Sequence, residues 1–246
     1  MDFPLKIFSQ LAVILVAMHL NLLPVASAIP DDETLKIGVS EALRLVREKF
    51  SEEQYFFVGV GRSPTPLITA LQIQKPGSAM NLPFTAMGRT RNWEDYEEWS
   101  FEHFDRFIPY QSQLNGKRLL LIDYAQEGGS VKRIEHQLQR FLAVYRPGVV
   151  AETLVFADSP MPHSPPSTNV KGSIDGLRPF HVIALRDHHP ALKRVMYGSF
   201  KEYAEYLEYE VGTKGFAKPN PAFEELAAKL QRVLAAPLKT CTAAIQ

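Results

Sequence analysis

Lys117-Arg-Leu-Leu-Leu-Ile-Asp-Tyr-Ala-Gln-Glu-Gly-Gly-Ser130 sets an apolar run, an acid, a short polar turn and two glycines in immediate succession. Leu119 to Ile122 are too few and too continuously apolar for an amphipathic helix. They suit a strand buried on both faces of a parallel sheet. Asp123 then stands at the end of that strand, the edge at which open α/β sheets hold ligands. Gly128 and Gly129 allow backbone to approach a ligand closely. Ser130 is placed to cap a helix that Val131, Ile134, Leu138, Phe141 and Leu142 continue at helical spacing. Free amides at such a helix start favour an anion, so residues 119–130 form the first candidate site. The same turn also suits any βα connection of a doubly wound sheet, where the glycines only permit tight packing.

Working outward, Gln54 to Val60 is an aromatic and β-branched run that reads as another strand. It ends in Gly59-Val-Gly-Arg-Ser-Pro-Thr-Pro66 and leads into Leu67-Ile-Thr-Ala-Leu-Gln-Ile73, with proline and hydroxyl residues at a helix start. Gly61 and Arg62 make this a second candidate anion turn, since a guanidinium is a forked donor to phosphate oxygens. A capped helix carrying an exposed arginine is the plainer alternative.

The apolar strand, acid and glycine loop resemble the ribose-phosphate signature of the type I phosphoribosyltransferases. That resemblance implies a three-layer α/β fold: a five-stranded, mostly parallel sheet flanked by helices. It also implies a ligand of the phosphoribosyl pyrophosphate kind. Asp123, the catalytic candidate, would accept bonds from ribose hydroxyls. Gln126, Glu127, Gly128, Gly129 and Ser130 would surround a phosphate, and Gly61, Arg62 and Ser63 would meet a pyrophosphate bridged by Mg²⁺. Two positions depart from the pattern. The acidic pair becomes Ile122 and Asp123, and Glu127 replaces the small hydroxyl residue before the glycines, where its charge would repel a phosphate.

Between these turns, Met80 to Met87 reads as a strand made irregular or peripheral by Pro83. Trp93 to Ile108 reads as an acidic helix with an aromatic stripe, taken as packing rather than a cofactor site. Where the family carries a mobile loop over its ligand, only Arg89 and Arg91 offer cations. Val149 to Ala157 and Phe180 to Leu185 complete five parallel strands, beginning near 55, 82, 119, 149 and 180. Asp158 to Gly176 reads as a surface loop rich in proline and serine. Helices are expected over Thr34–Phe50, Gly198–Tyr209 and Pro221–Ala235.

The last strand runs into Arg186-Asp-His-His-Pro190. Asp187, His188 and His189 invite comparison with metal-dependent phosphoesterases, since His and Asp suit Mn²⁺ or Zn²⁺. The early acidic motif of those enzymes is absent. Paired histidines in a loop more often cap a helix or face solvent.

The chain opens with Lys6, an apolar run from Leu11 to Leu23 interrupted by His19 and Asn21, and Ala26-Ser27-Ala28. This has the form of an export signal over residues 1–28, cleaved after Ala28; an uncleaved anchor is the alternative. The expected product is a single α/β domain, residues 29–246, periplasmic or secreted and free of the membrane. With 27 basic and 27 acidic residues, nothing favours nucleic acid as a partner. The lone cysteine, Cys241, excludes an internal disulfide.

Three functions are consistent with these features. The leading one is a binding or interaction protein that keeps the fold, takes a phosphorylated sugar or nucleotide-like molecule, and lacks ordinary transferase activity. The alternatives are an active phosphoribosyltransferase or relative, with Mg²⁺, and a metal-dependent phosphoesterase. A protein partner cannot be named from the chain.

Overall fold

A computed structural model describes residues 29–84, 93–125, 129–157, 181–197 and 221–235. The signal-like segment, Arg89, Arg91, the loop and helix expected at 158–176 and 198–209, and Cys241 lie outside them. Among the described residues, no helix is long and apolar enough to cross a membrane.

Helix α1 (Asp32–Arg47) precedes β1 (Tyr55–Val60), and α2 (Thr65–Gln74) leads to β2 (Ala79–Leu82). Next come α3 (Trp93–Phe107), the single turn α4 (Gln111–Leu114), β3 (Arg118–Ala125), α5 (Gly129–Tyr145) and β4 (Ala151–Ala157). β5 (His181–Ala184) runs through a 3₁₀ turn (Leu185–Asp187) into α6 (Pro190–Tyr197), and α7 (Pro221–Ala235) ends the described chain. The five strands form one parallel sheet in the order β2-β1-β3-β4-β5.

Side-chain alternation along the strands divides the apolar residues between two helical layers. Phe57, Leu120, Ile122, Leu154 and Phe156 share one core with α1, α2, α6 and α7. Val58, Val60, Leu119 and Leu121 pack with Phe104 of α3 and with Ile134, Leu138, Phe141 and Leu142 of α5. The parallel three-layer α/β architecture expected from the sequence is therefore present.

Local chemistry explains the main helix ends. Asp31 caps α1: the Thr34 N–H donates to its Oδ1 at 2.8 Å, and acids fill the first turn as bases fill the last. At the far end of α5, Arg146 is buried; it pairs with Asp105 at 2.7 Å and lies 3.7 Å from the Tyr110 ring centroid. That stacking suits the planar, weakly hydrated guanidinium.

Several boundaries differ from the sequence reading. β2 stops at Leu82, so Pro83 follows the strand rather than lying within it, and β2 is an edge of the described sheet. β3 continues to Ala125 because parallel pairing with β4 persists through Tyr124 and Ala125; Asp123 is therefore inside the strand, not after it. α5 starts at Gly129, which makes Ser130 a first-turn residue instead of the cap. Two short helices, α4 and α6, were not expected.

Candidate functional site

The strand order reverses between β1 and β3, whose neighbours β2 and β4 lie on opposite sides. Such a switch point opens a crevice beyond the carboxyl ends of the strands. β1 and β3 are parallel and paired from Tyr55↔Arg118 to Gly59↔Ile122. The Gly61–Arg62–Ser63 turn and the end of β3 consequently emerge on the same edge of the sheet.

The β1 turn is fixed by its backbone. Gly61 has φ +73°, and a Cβ there would come within 2.9 Å of the Phe84 carbonyl oxygen; the position is effectively closed to other residues. Its N–H donates to the Leu82 carbonyl at 3.0 Å. Arg62 is exposed and Ser63 half-buried. Thr65, the first residue of α2, is fully buried, and its hydroxyl has no partner among the described residues.

Asp123 projects toward the α5 layer. The Tyr124 N–H donates to its Oδ1 at 2.7 Å, a bond that favours the carboxylate. Burial opposes this more strongly and pushes the carboxyl up to about 8. The residue keeps partial solvent contact while its charged atoms are desolvated. Ile122, the position of the missing second acid, is fully buried in the opposite core. It contributes packing and no hydrogen bond to the crevice.

Two further polar residues share this place. Val60, Leu121, Asp123, Val131, Ile134, Glu135 and Thr153 line a tight seam between the sheet and α5, too narrow to hold a water molecule. Glu135 and Thr153 are 1% and 2% exposed. The Thr153 hydroxyl has no partner among the described residues. Sequence reasoning missed both. Glu135 was hidden in an otherwise regular helix; the available signal was an acid adjoining the inward positions Val131, Ile134 and Leu138. Thr153 carries no signal of its own in the sequence, being one β-branched residue within the Val149–Ala157 strand run.

Gly129 and Ser130 begin α5, seven residues from Asp123 at the farther of the two by chain position; Gln126, Glu127 and Gly128 lie outside the described residues. The Asp187-His188-His189 group is otherwise engaged. Asp187 lies 3.4 Å from Arg186, and His188 Nδ1 is 3.2 Å from Glu41. The Ala191 N–H donates to His189 Nδ1 at 3.1 Å, at the start of α6. Among the described residues, no group of three or more His, Cys, Asp and Glu side chains is arranged to hold a metal.

Comparison of the chain with protein-family models, with curated proteins and with solved structures finds no match.

Proposed function

We propose that this is a phosphoribosyltransferase-like binding protein that takes a phosphorylated sugar in the crevice between β1 and β3 and lacks ordinary transferase activity. The observation that carries this reading is the parallel adjacency of β1 and β3, which brings an arginine-bearing turn and an acid-bearing strand end to one edge. Arg62 supplies donors for a phosphate, and Asp123 supplies a partner for sugar hydroxyls. Loss of transfer chemistry is supported by Ile122, whose apolar side chain belongs to the far core. Export of the protein is part of the proposal and rests on residues 1–28 of the sequence.

An active transferase is the second reading. It draws support from Asp123, because a carboxyl displaced to about 8 by burial suits proton transfer near neutral pH. Mg²⁺ belongs only to this alternative. The described residues offer it little: Asp123 is desolvated and Glu135 is buried on the sheet-facing side of α5, so the ion would depend on the ligand's own phosphate oxygens.

Calorimetry with ribose 5-phosphate, followed by a pyrophosphate-release assay with phosphoribosyl pyrophosphate and Mg²⁺, separates the readings. The binding protein is expected to take the sugar phosphate and to release no pyrophosphate above the spontaneous rate. Release that Asp123→Asn abolishes would establish the transferase, and no affinity at millimolar ligand would remove both.

A further inference from the structure

The amino ends of the strands, opposite the edge reached by the β1 and β3 turns, carry a cavity of their own. It has a volume of about 400 Å³ and lies between Phe56 near the start of β1, Gly77 ahead of β2, the last turn of α3 and the Pro109–Gln113 connection. That size falls within the range of small-molecule sites. Three of its residues are aromatic. Phe56 and Phe107 are anchored by the core they pack against. Tyr110 is 53% exposed, yet it is held from one side, because the buried Arg146 guanidinium lies 3.7 Å from its ring centroid. With Arg146 on one face, the exposed part of the Tyr110 ring is left to a planar partner.

The polar groups of the cavity are fixed to the same tyrosine. Arg146 donates to Asp105 Oδ1 at 2.7 Å, and Gln113 Oε1 accepts the Tyr110 N–H at 2.8 Å. Among the described residues, Asp105 Oδ2 and the Gln113 Nε2 donors are not engaged. An acceptor and a donor therefore stand beside an aromatic surface. Asp105 repels an anion, while Arg146 behind it and Arg106, which also lines the cavity, repel a cation. We infer that this cavity binds an uncharged heteroaromatic ring with an amino group beside a ring nitrogen, the pattern of adenine or cytosine. The ring stacks on Tyr110, its amino group donates to Asp105, and Gln113 donates to the ring nitrogen. The site is separate from the sugar-phosphate site proposed above and does not depend on it.

Calorimetry and amide NMR titration of the intact protein with adenosine and with inosine test the assignment. Inosine has a carbonyl and a ring N–H where adenosine has the amino group and the ring nitrogen, so both bonds are reversed. Adenosine is expected to shift the amides of Phe56, Gly77 and residues 105–113, and to bind about tenfold more tightly than inosine, the effect of leaving polar groups unmatched. Gln113→Glu keeps an acceptor for the Tyr110 N–H and removes the Nε2 donors; it should weaken adenosine by a similar factor at an unchanged thermal midpoint. Asp105→Asn keeps an oxygen for Arg146 and presents a donor in place of the second acceptor, so it should narrow or reverse the preference for adenosine. No binding at millimolar adenosine, equal affinity for the two nucleosides, shifts centred away from these residues, or a Gln113→Glu protein that binds adenosine as the parent does, would overturn the site.

Discussion

At the scale of single residues, Asp123 is maintained against its own solvation. Its carboxyl is raised from 3.8 to about 8, chiefly by burial, with the Tyr124 N–H pulling the other way. The neutral form is thus favoured by folding. The stability associated with it is complete below pH 4 and is lost as pH rises through about 8, because the folded chain must then ionise a desolvated group that the unfolded chain ionises freely. Asp123→Asn should remove this slope. Denaturant unfolding is expected to show the variant more stable than the parent at pH 8, by roughly 1–3 kcal/mol, with little difference at pH 4. A loss of stability at pH 8 would mean that the carboxylate is satisfied in the fold. A group that lowers stability while lining a crevice is characteristic of a functional position, where activity and stability conflict. This property could not be read from the sequence. The Leu119–Ser130 pattern located Asp123, but its desolvation depends on α5 and on Thr153 of β4, which only the folded chain brings together.

At the scale of elements, α1 and α6 meet at Gly38. A Cβ at that position would lie 2.5 Å from the Ala191 carbonyl oxygen and 2.6 Å from Val195 Cγ2. Alanine would improve the helical propensity of α1 by about 1 kcal/mol, but overpacking against a backbone carbonyl costs about 1–3 kcal/mol and cannot be relieved by a rotamer change. Gly38→Ala is therefore expected to lower the urea midpoint without changing its slope. A midpoint equal to or above that of the parent would show that α1 and α6 separate there easily. The contact was illegible beforehand because α6 was not recognised. Only eight residues long, α6 follows directly on the Asp-His-His motif, and its inward residues Leu192, Val195 and Met196 span too few turns to make a strong periodic pattern. The long elements behaved differently. α1, α3, α5 and α7 carry several turns of amphipathic pattern, and that periodicity placed all four to within a few residues.

At the scale of the whole molecule, the strand order turns two local sequence motifs into one place. Nothing in the sequence states that β1 and β3 are neighbours; it shows only strand–helix alternation, from which a parallel sheet follows. Given that order, right-handed parallel connections place α2 on one face of the sheet and α5 on the other, and the crevice is a consequence of that reversal. The fold was legible because strands buried on both faces and amphipathic helices leave strong patterns. The candidate site is marked in the sequence only by glycines and charged residues, since Glu135 and Thr153 acquire meaning through packing. The central claim, that the turns after β1 and β3 serve one phosphorylated ligand, is tested most directly by a crystal structure of the protein soaked with ribose 5-phosphate and Mg²⁺. The account predicts density bridging Arg62 and Asp123 at the carboxyl edge of the sheet. Ligand bound elsewhere, or none at millimolar concentration, would contradict it.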